Sequence, residues 1–171
     1  MIAALRRRFA PPALAVLCVT ACAVSAAPRA LTGATRPASS RAIAWQPSFA
    51  EARKVALERS APIFVAIHVP GVRASEDYIA RHLRDKRITK LCRETVNVFA
   101  CEAPKSGMSG VSAKRAQACF AELRTELFEI AEDKWVRPQP ILLDAQGKAL
   151  VSLPEHASVG ELEWALVWAL S

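Results

Sequence analysis

The stretch PIFVAIHVPGVRAS, residues 62–75, decides the fold. Ile63 to Val69 is apolar almost throughout, the pattern of a central strand covered on both faces. Pro70-Gly71 stops the run. Ser75 is placed to cap a helix whose first carboxylates, Glu76 and Asp77, suit the positive end of the helix dipole. A buried strand that runs straight into a helix start is a place where a fold can hold a reactive group. Whether this one does depends on residues 72–75, Val-Arg-Ala-Ser.

Working outward, Ser48-Phe49-Ala50-Glu51 reads as a capping box, followed by helical spacing of Phe49, Ala52, Val55 and Ala56. After Ser75, the residues Ile79, Leu83, Ile88, Leu91 and Cys92 continue an amphipathic stripe with a break near Asp85. Val96 to Glu102 reads as a second strand, and Pro104 to Ser112 as a loop. A long helix is expected from about Ala113 to Asp133, with Ala116, Cys119, Phe120, Leu123, Leu127 and Ile130 inward. Ile141 to Val151 reads as a hairpin turning at Ala145-Gln146-Gly147. Ser158-Val159-Gly160-Glu161 is a second capping box, opening a last helix with Leu162, Leu166, Ala169 and Leu170 inward. The order is helix, strand, helix, strand, helix, strand, strand, helix. Two strands joined through a helix favour parallel pairing, and the hairpin adds an antiparallel strand. The expected class is α/β, a mixed sheet of about four strands flanked by helices.

The 171 residues suit one domain, and 52% hydrophobic with 23% charged residues is enough for a core. Residues 1–22 do not belong to it. Arg6, Arg7 and Arg8 precede a short apolar run and then small residues, the layout of an export signal. The run is too short for a spanning helix, which needs roughly 20 apolar residues. Val19-Thr20-Ala21-Cys22 resembles a bacterial lipobox, with Cys22 as the lipidated residue; the alternative is ordinary cleavage at Val24-Ser25-Ala26. Residues 23–44, rich in Ala, Ser, Thr, Pro and Arg, read as a flexible tether ahead of a domain spanning 45–171. The net charge of +7 falls to +4 without Arg6, Arg7 and Arg8, and to +1 without Arg29, Arg36 and Arg41. A near-neutral domain is a poor nucleic-acid binder, so no nucleic-acid partner is expected, and membrane contact only through an anchor at Cys22.

From Trp45 to Leu170 the sequence resembles the thioredoxin-like superfamily. Ser60-Ala61-Pro62-Ile63-Phe64-Val65 is similar to the start of that fold's central strand. Arg84 to Leu91 followed by Val96-Asn97-Val98 resembles a region of its exported members. Val136 to Gly147 resembles the segment that carries the family's proline. The resemblance implies a cis Gln139–Pro140 bond beside the redox site; the alternative is a trans proline opening an edge strand. It also puts Val72-Arg73-Ala74-Ser75 where C-x-x-C would stand. Valine cannot ionise, and a serine hydroxyl is far too weak an acid to replace a thiolate, with no base evident beside it. Ser75 then serves as a cap.

Cys92, Cys101 and Cys119 remain in the domain, and none forms C-x-x-C. Cys92 and Cys119 fall on apolar helix faces as small hydrophobes. A Cys101–Cys119 disulfide is the alternative in an oxidising compartment, with a loop-closure contribution of ~3 kcal/mol. His68, His82 and His156 form no ligand motif, so His68 reads as a core or rim residue; a metal site would need His68 and a cysteine together. Glu129, Glu132 and Asp133 read as a solvated face. Trp164 and Trp168 are expected to stack along the last helix, in core packing or on a surface shared with Trp135. No cofactor, metal or catalytic residue is expected. The leading reading is an exported, non-catalytic module that binds a protein or extended peptide in a groove lined by Val72, Arg73, Ser75, Gln139 and Pro140. The rival is a thiol-disulfide oxidoreductase using Cys101 or Cys119.

Overall fold

The structure, a computed structural model, describes residues 42–105, 107, 108, 110–127, 140–154 and 156–171. The elements follow the expected order: α1 (Phe49–Arg59), β1 (Ile63–His68), α2 (Arg73–Ala80), a 3-10 turn (His82–Arg84), α3 (Lys86–Leu91), β2 (Val96–Cys101), α4 (Ala113–Leu127), β3 (Pro140–Leu143), β4 (Ala149–Ser152) and α5 (Val159–Ala169). Several expectations lie outside the described residues: the leader with Cys22, the tether through Arg41, residues 128–133 of the long helix with Glu129, Glu132 and Asp133, Trp135, and Gln139 with its bond to Pro140.

The sheet has the order β2-β1-β3-β4. β1 runs parallel to β2, from Ile63 opposite Val96 to His68 opposite Cys101, and antiparallel to β3, with Ala66 opposite Pro140. β3 and β4 form the hairpin, whose turn is fixed by Asp144: its Oδ1 accepts from the N–H groups of Gln146 and Lys148, each at 2.9 Å. Gly147 supplies the positive φ of 89° that closes it.

Because strand side chains alternate, the sheet feeds two separate apolar layers. Ile63, Val65, Ile67, Val96, Val98, Ala100, Ile141 and Leu143 pack with α1 and α4. Phe64, Ala66, Phe99, Cys101 and Leu142 pack with α2, α3 and α5. All six residues of β1 are buried, as its two-sided apolarity requires.

The helix starts are set by local polar contacts. Ser48 accepts from the N–H of Glu51 at 3.1 Å, one half of the expected box. The next donors go elsewhere: Glu122, on α4, accepts from the N–H of Phe49 at 2.6 Å and of Ala50 at 3.3 Å. The α5 box is complete, with Glu161 also accepting from the Ser158 N–H at 2.7 Å. Asp85 breaks the second helical stretch by capping α3, accepting from the Arg87 N–H at 2.8 Å. Trp164 and Trp168 are not core residues. They stack on each other at 6.4 Å but point outward, 61% and 46% exposed.

One buried polar residue ties the edge of the sheet. Asn97, the second residue of β2, donates to the carbonyls of Cys92 at 2.7 Å and Ala44 at 3.2 Å, and accepts from the Thr95 hydroxyl at 2.7 Å. It thereby joins α3, the chain ahead of α1 and β2. Asn97→Ala leaves those buried groups without their partner, each costing about 1–3 kcal/mol. Urea unfolding is expected to show a loss of at least about 2 kcal/mol; a change below about 0.5 kcal/mol contradicts this role.

Candidate functional site

β1 ends at His68, β2 ends beside it at Cys101, and β3 begins at Pro140 opposite Ala66. Three strand ends therefore meet at one edge of the sheet, where α2 also begins. The connection is a tight turn. The Val72 N–H donates to the Val69 carbonyl at 3.3 Å, and Gly71 takes φ +84°. Glu76 reaches back from α2, its Oε1 accepting from the Gly71 N–H at 3.2 Å.

The cap of α2 is Val72, not Ser75. Val72 has extended backbone and gives no side-chain cap bond. Ser75 sits one turn further in, as the third helical residue, and is fully buried. Its oxygen accepts from the Val69 N–H at 2.9 Å, and its hydroxyl lies 2.7 Å from His68 Nδ1. Ser75 thus satisfies the strand that precedes the turn instead of the helix that follows it. The reason is distance along the chain: a helix residue folded back over a four-residue connection meets the last strand residues, not its own first turn.

His68 is the partner that sequence reasoning missed. It is buried, its ring 6.4 Å from that of Phe99, and Nε2 lies 3.7 Å from Glu76 Oε1. That carboxylate favours the hydrogen on Nε2, leaving Nδ1 to accept from the Ser75 hydroxyl. Both ends of the hydroxyl are then used. The arrangement places a base beside Ser75, contrary to expectation, but it is no nucleophile: the oxygen is inaccessible and already accepts a backbone hydrogen. A spacing of seven residues across a strand end was the available signal.

Of the groove residues, Val72 is partly buried at the turn, Arg73 is exposed, and Pro140 is buried at the head of β3. Ser75 is fully buried and lines no surface. The cysteines are not brought together. Cys101 belongs to the layer under α2, α3 and α5, and Cys119 to the layer under α1 and α4, so the sheet separates them. Both are free, so the disulfide weighed as the alternative is not formed. Cys119 instead donates to the Pro47 carbonyl at 3.6 Å. Burial pushes the Cys92 thiol up to about 12 and Cys119 to about 11. Burial also raises Cys101, with Glu102 and Glu76 adding to the rise against a backbone bond from Ala103. Among the described residues, no three His, Cys, Asp or Glu side chains are grouped to hold a metal ion.

Burial lowers His68 from its ordinary 6.5, outweighing the Glu76 carboxylate and the contact with Ser75. Between 6.5 and that lower value the unfolded chain takes up a proton and the folded one does not. Stability therefore falls with pH across this window and levels off below it. His82, also lowered chiefly by burial, acts in the same direction. The urea midpoint is expected to drop from about pH 7.5 to about pH 5.5, and His68→Gln to make that drop shallower. An unchanged slope in the variant contradicts the assignment.

No protein-family model matches the chain, and no curated protein does. Solved structures do. A chain described as a DsbH oxidoreductase superposes with a TM-score of 0.56 at 17% identity, over 80% of this chain and 92% of its own. A thioredoxin from Thermus thermophilus gives 0.50 at 13% identity, over 71% of this chain and 82% of its own. At such identities the likeness concerns the fold, and it agrees with the strand order and helical layers described above. The chain folds as a thioredoxin-like domain.

Proposed function

We propose that this chain is an exported thioredoxin-like domain without the redox dithiol, acting as a non-catalytic binding or accessory module of the cell envelope. One observation carries the reading: at the strand-to-helix junction, Val72 stands at the helix cap and Ser75 is buried in bonds to Val69 and His68. Thiol exchange needs an accessible sulfur whose pKa is lowered by a helix start or a neighbouring cation. Here the three sulfurs of the domain are buried and shifted the other way. Cys101 lies opposite His68 in register, yet burial holds its proton on.

Export rests on the arginine-led apolar segment of residues 1–22, and envelope anchoring on the lipobox ending in Cys22. The partner is a protein or extended peptide, met at the exposed Arg73, the partly buried Val72 and the start of β3 at Pro140, with Gln139 beside it in sequence. The scaffold needs no thiol for this, because backbone groups and shallow side-chain pockets suffice to hold an extended segment.

An insulin-reduction assay tests the reading. No turnover above the dithiothreitol background is expected from the wild-type chain. Turnover that Cys101→Ser or Cys119→Ser abolishes would overturn the proposal and install the oxidoreductase. Arg73→Glu is expected to change which envelope proteins co-purify, and an unchanged set would move the contact away from the junction.

A further inference from the structure

We propose that the outward face of α5, together with the basic edge of α3 beside it, is a docking surface for an anionic lipid bilayer. This does not depend on the reading of the β1–α2 junction, and it goes beyond contact through an anchor at Cys22. The α5 helix is apolar on both sides. Leu162, Ala165 and Leu166 face the core, fully buried, while Trp164, Val167 and Trp168 face outward at 61%, 51% and 46% exposure. Those three stand at i, i+3 and i+4, so they form one continuous stripe. The two indoles are nearly parallel, 14° apart, and brace each other without covering the patch. A helix apolar all round is normally enclosed, so this face calls for an occupant.

The surrounding charge says which one. Residues 81–93 hold six cations (Arg81, Arg84, Lys86, Arg87, Lys90 and Arg93) and one carboxylate, Asp85; with Glu161 and Glu163 of α5 counted, the net charge is +3, in a domain whose total is +1. α3, which carries Lys86, Arg87 and Lys90, packs against α5. Arg87 marks the seam by reaching Glu163 at 2.8 Å, and Val167 follows Glu163 by one helical turn. The stripe therefore begins at the basic edge and continues into the tryptophans. The carboxylates of α5 and of the α3 cap are already engaged: Glu163 and Asp85 with Arg87, and Glu161 with its own helix cap. Arg84, Lys86 and Lys90 are exposed and have no ion-pair partner among the described residues. Exposed indoles beside the unpaired Arg84, Lys86 and Lys90 are the composition that seats a helix at the headgroup level of an anionic leaflet.

Quenching of tryptophan fluorescence in the full chain, by lipids brominated along the acyl chain, tests this. Vesicles of phosphatidylcholine with about one third phosphatidylglycerol are expected to quench the wild type, and vesicles of phosphatidylcholine alone to quench it far less. Trp164→Phe with Trp168→Phe removes the quenched signal, because Trp45 packs against Phe64 and Phe99. Lys86→Gln with Lys90→Gln lowers the apparent vesicle affinity by about tenfold or more. Both pairs replace exposed side chains, and far-UV circular dichroism checks that each variant is folded. Equal quenching in the wild type and the tryptophan variant would assign the lipid contact to the leader and overturn the proposal. So would equal quenching on the two vesicle types, or the absence of quenching. A concentration-dependent dimer in solution that disappears in the tryptophan variant would give the face to a second copy, and also overturns it.

Discussion

Two bonds to one hydroxyl hold the centre of this molecule together. The buried oxygen of Ser75 takes the N–H of Val69 and engages His68, so the last residues of the central strand are fastened to the helix that follows them. The strand end needs this. Once β1 leaves the sheet, its backbone and the imidazole sit in a low-dielectric layer, where an unmatched polar group costs about as much as a hydrogen bond contributes. Glu76 completes the closure from the rim by holding Gly71. A hydroxyl used in this way fixes a turn.

The same economy of polar groups recurs wherever the layers meet. Asn97 ties an edge strand to a helix end and to the chain ahead of α1. Glu122 caps a helix more than seventy residues away in sequence. Each places one polar side chain where apolar packing would leave donors unmatched. The sulfur atoms follow the opposite rule, filling space in two layers that the sheet keeps apart. With desolvation holding their protons on, they behave as small hydrophobes. The outer face of α5 departs from both patterns, being apolar yet uncovered.

Most of the fold was legible in the sequence because its signals are local. The run between Pro62 and Pro70, apolar at six of its seven residues, the break at Asp85 and the Ser158–Glu161 box each declare an element without reference to the rest. The site was legible only as a position. Val72 and Ser75 carry no thiol, and the sequence suggests Ser75 as a cap, whereas a serine near a helix start has two backbones within reach and here takes the strand's. Its pairing with His68 depends on how tightly Pro70 and Gly71 turn the chain, which composition does not encode. The direction of Trp164 and Trp168 was hidden for a related reason: with apolar residues on every side of α5, periodicity cannot say which stripe faces the core.

The account's central claim is that the strand-to-helix junction is closed for structure and that the sulfur atoms of the domain are inert. Alkylation of the folded chain by iodoacetamide, followed across pH with the labelled sites read by mass spectrometry, tests it most directly. The account predicts that Cys92, Cys101 and Cys119 label far more slowly than a free cysteine, with no rise centred below about pH 8.5, and that all three label readily once the chain is unfolded. Rapid labelling of any of them in the folded chain, with a midpoint near or below neutral pH, would contradict it.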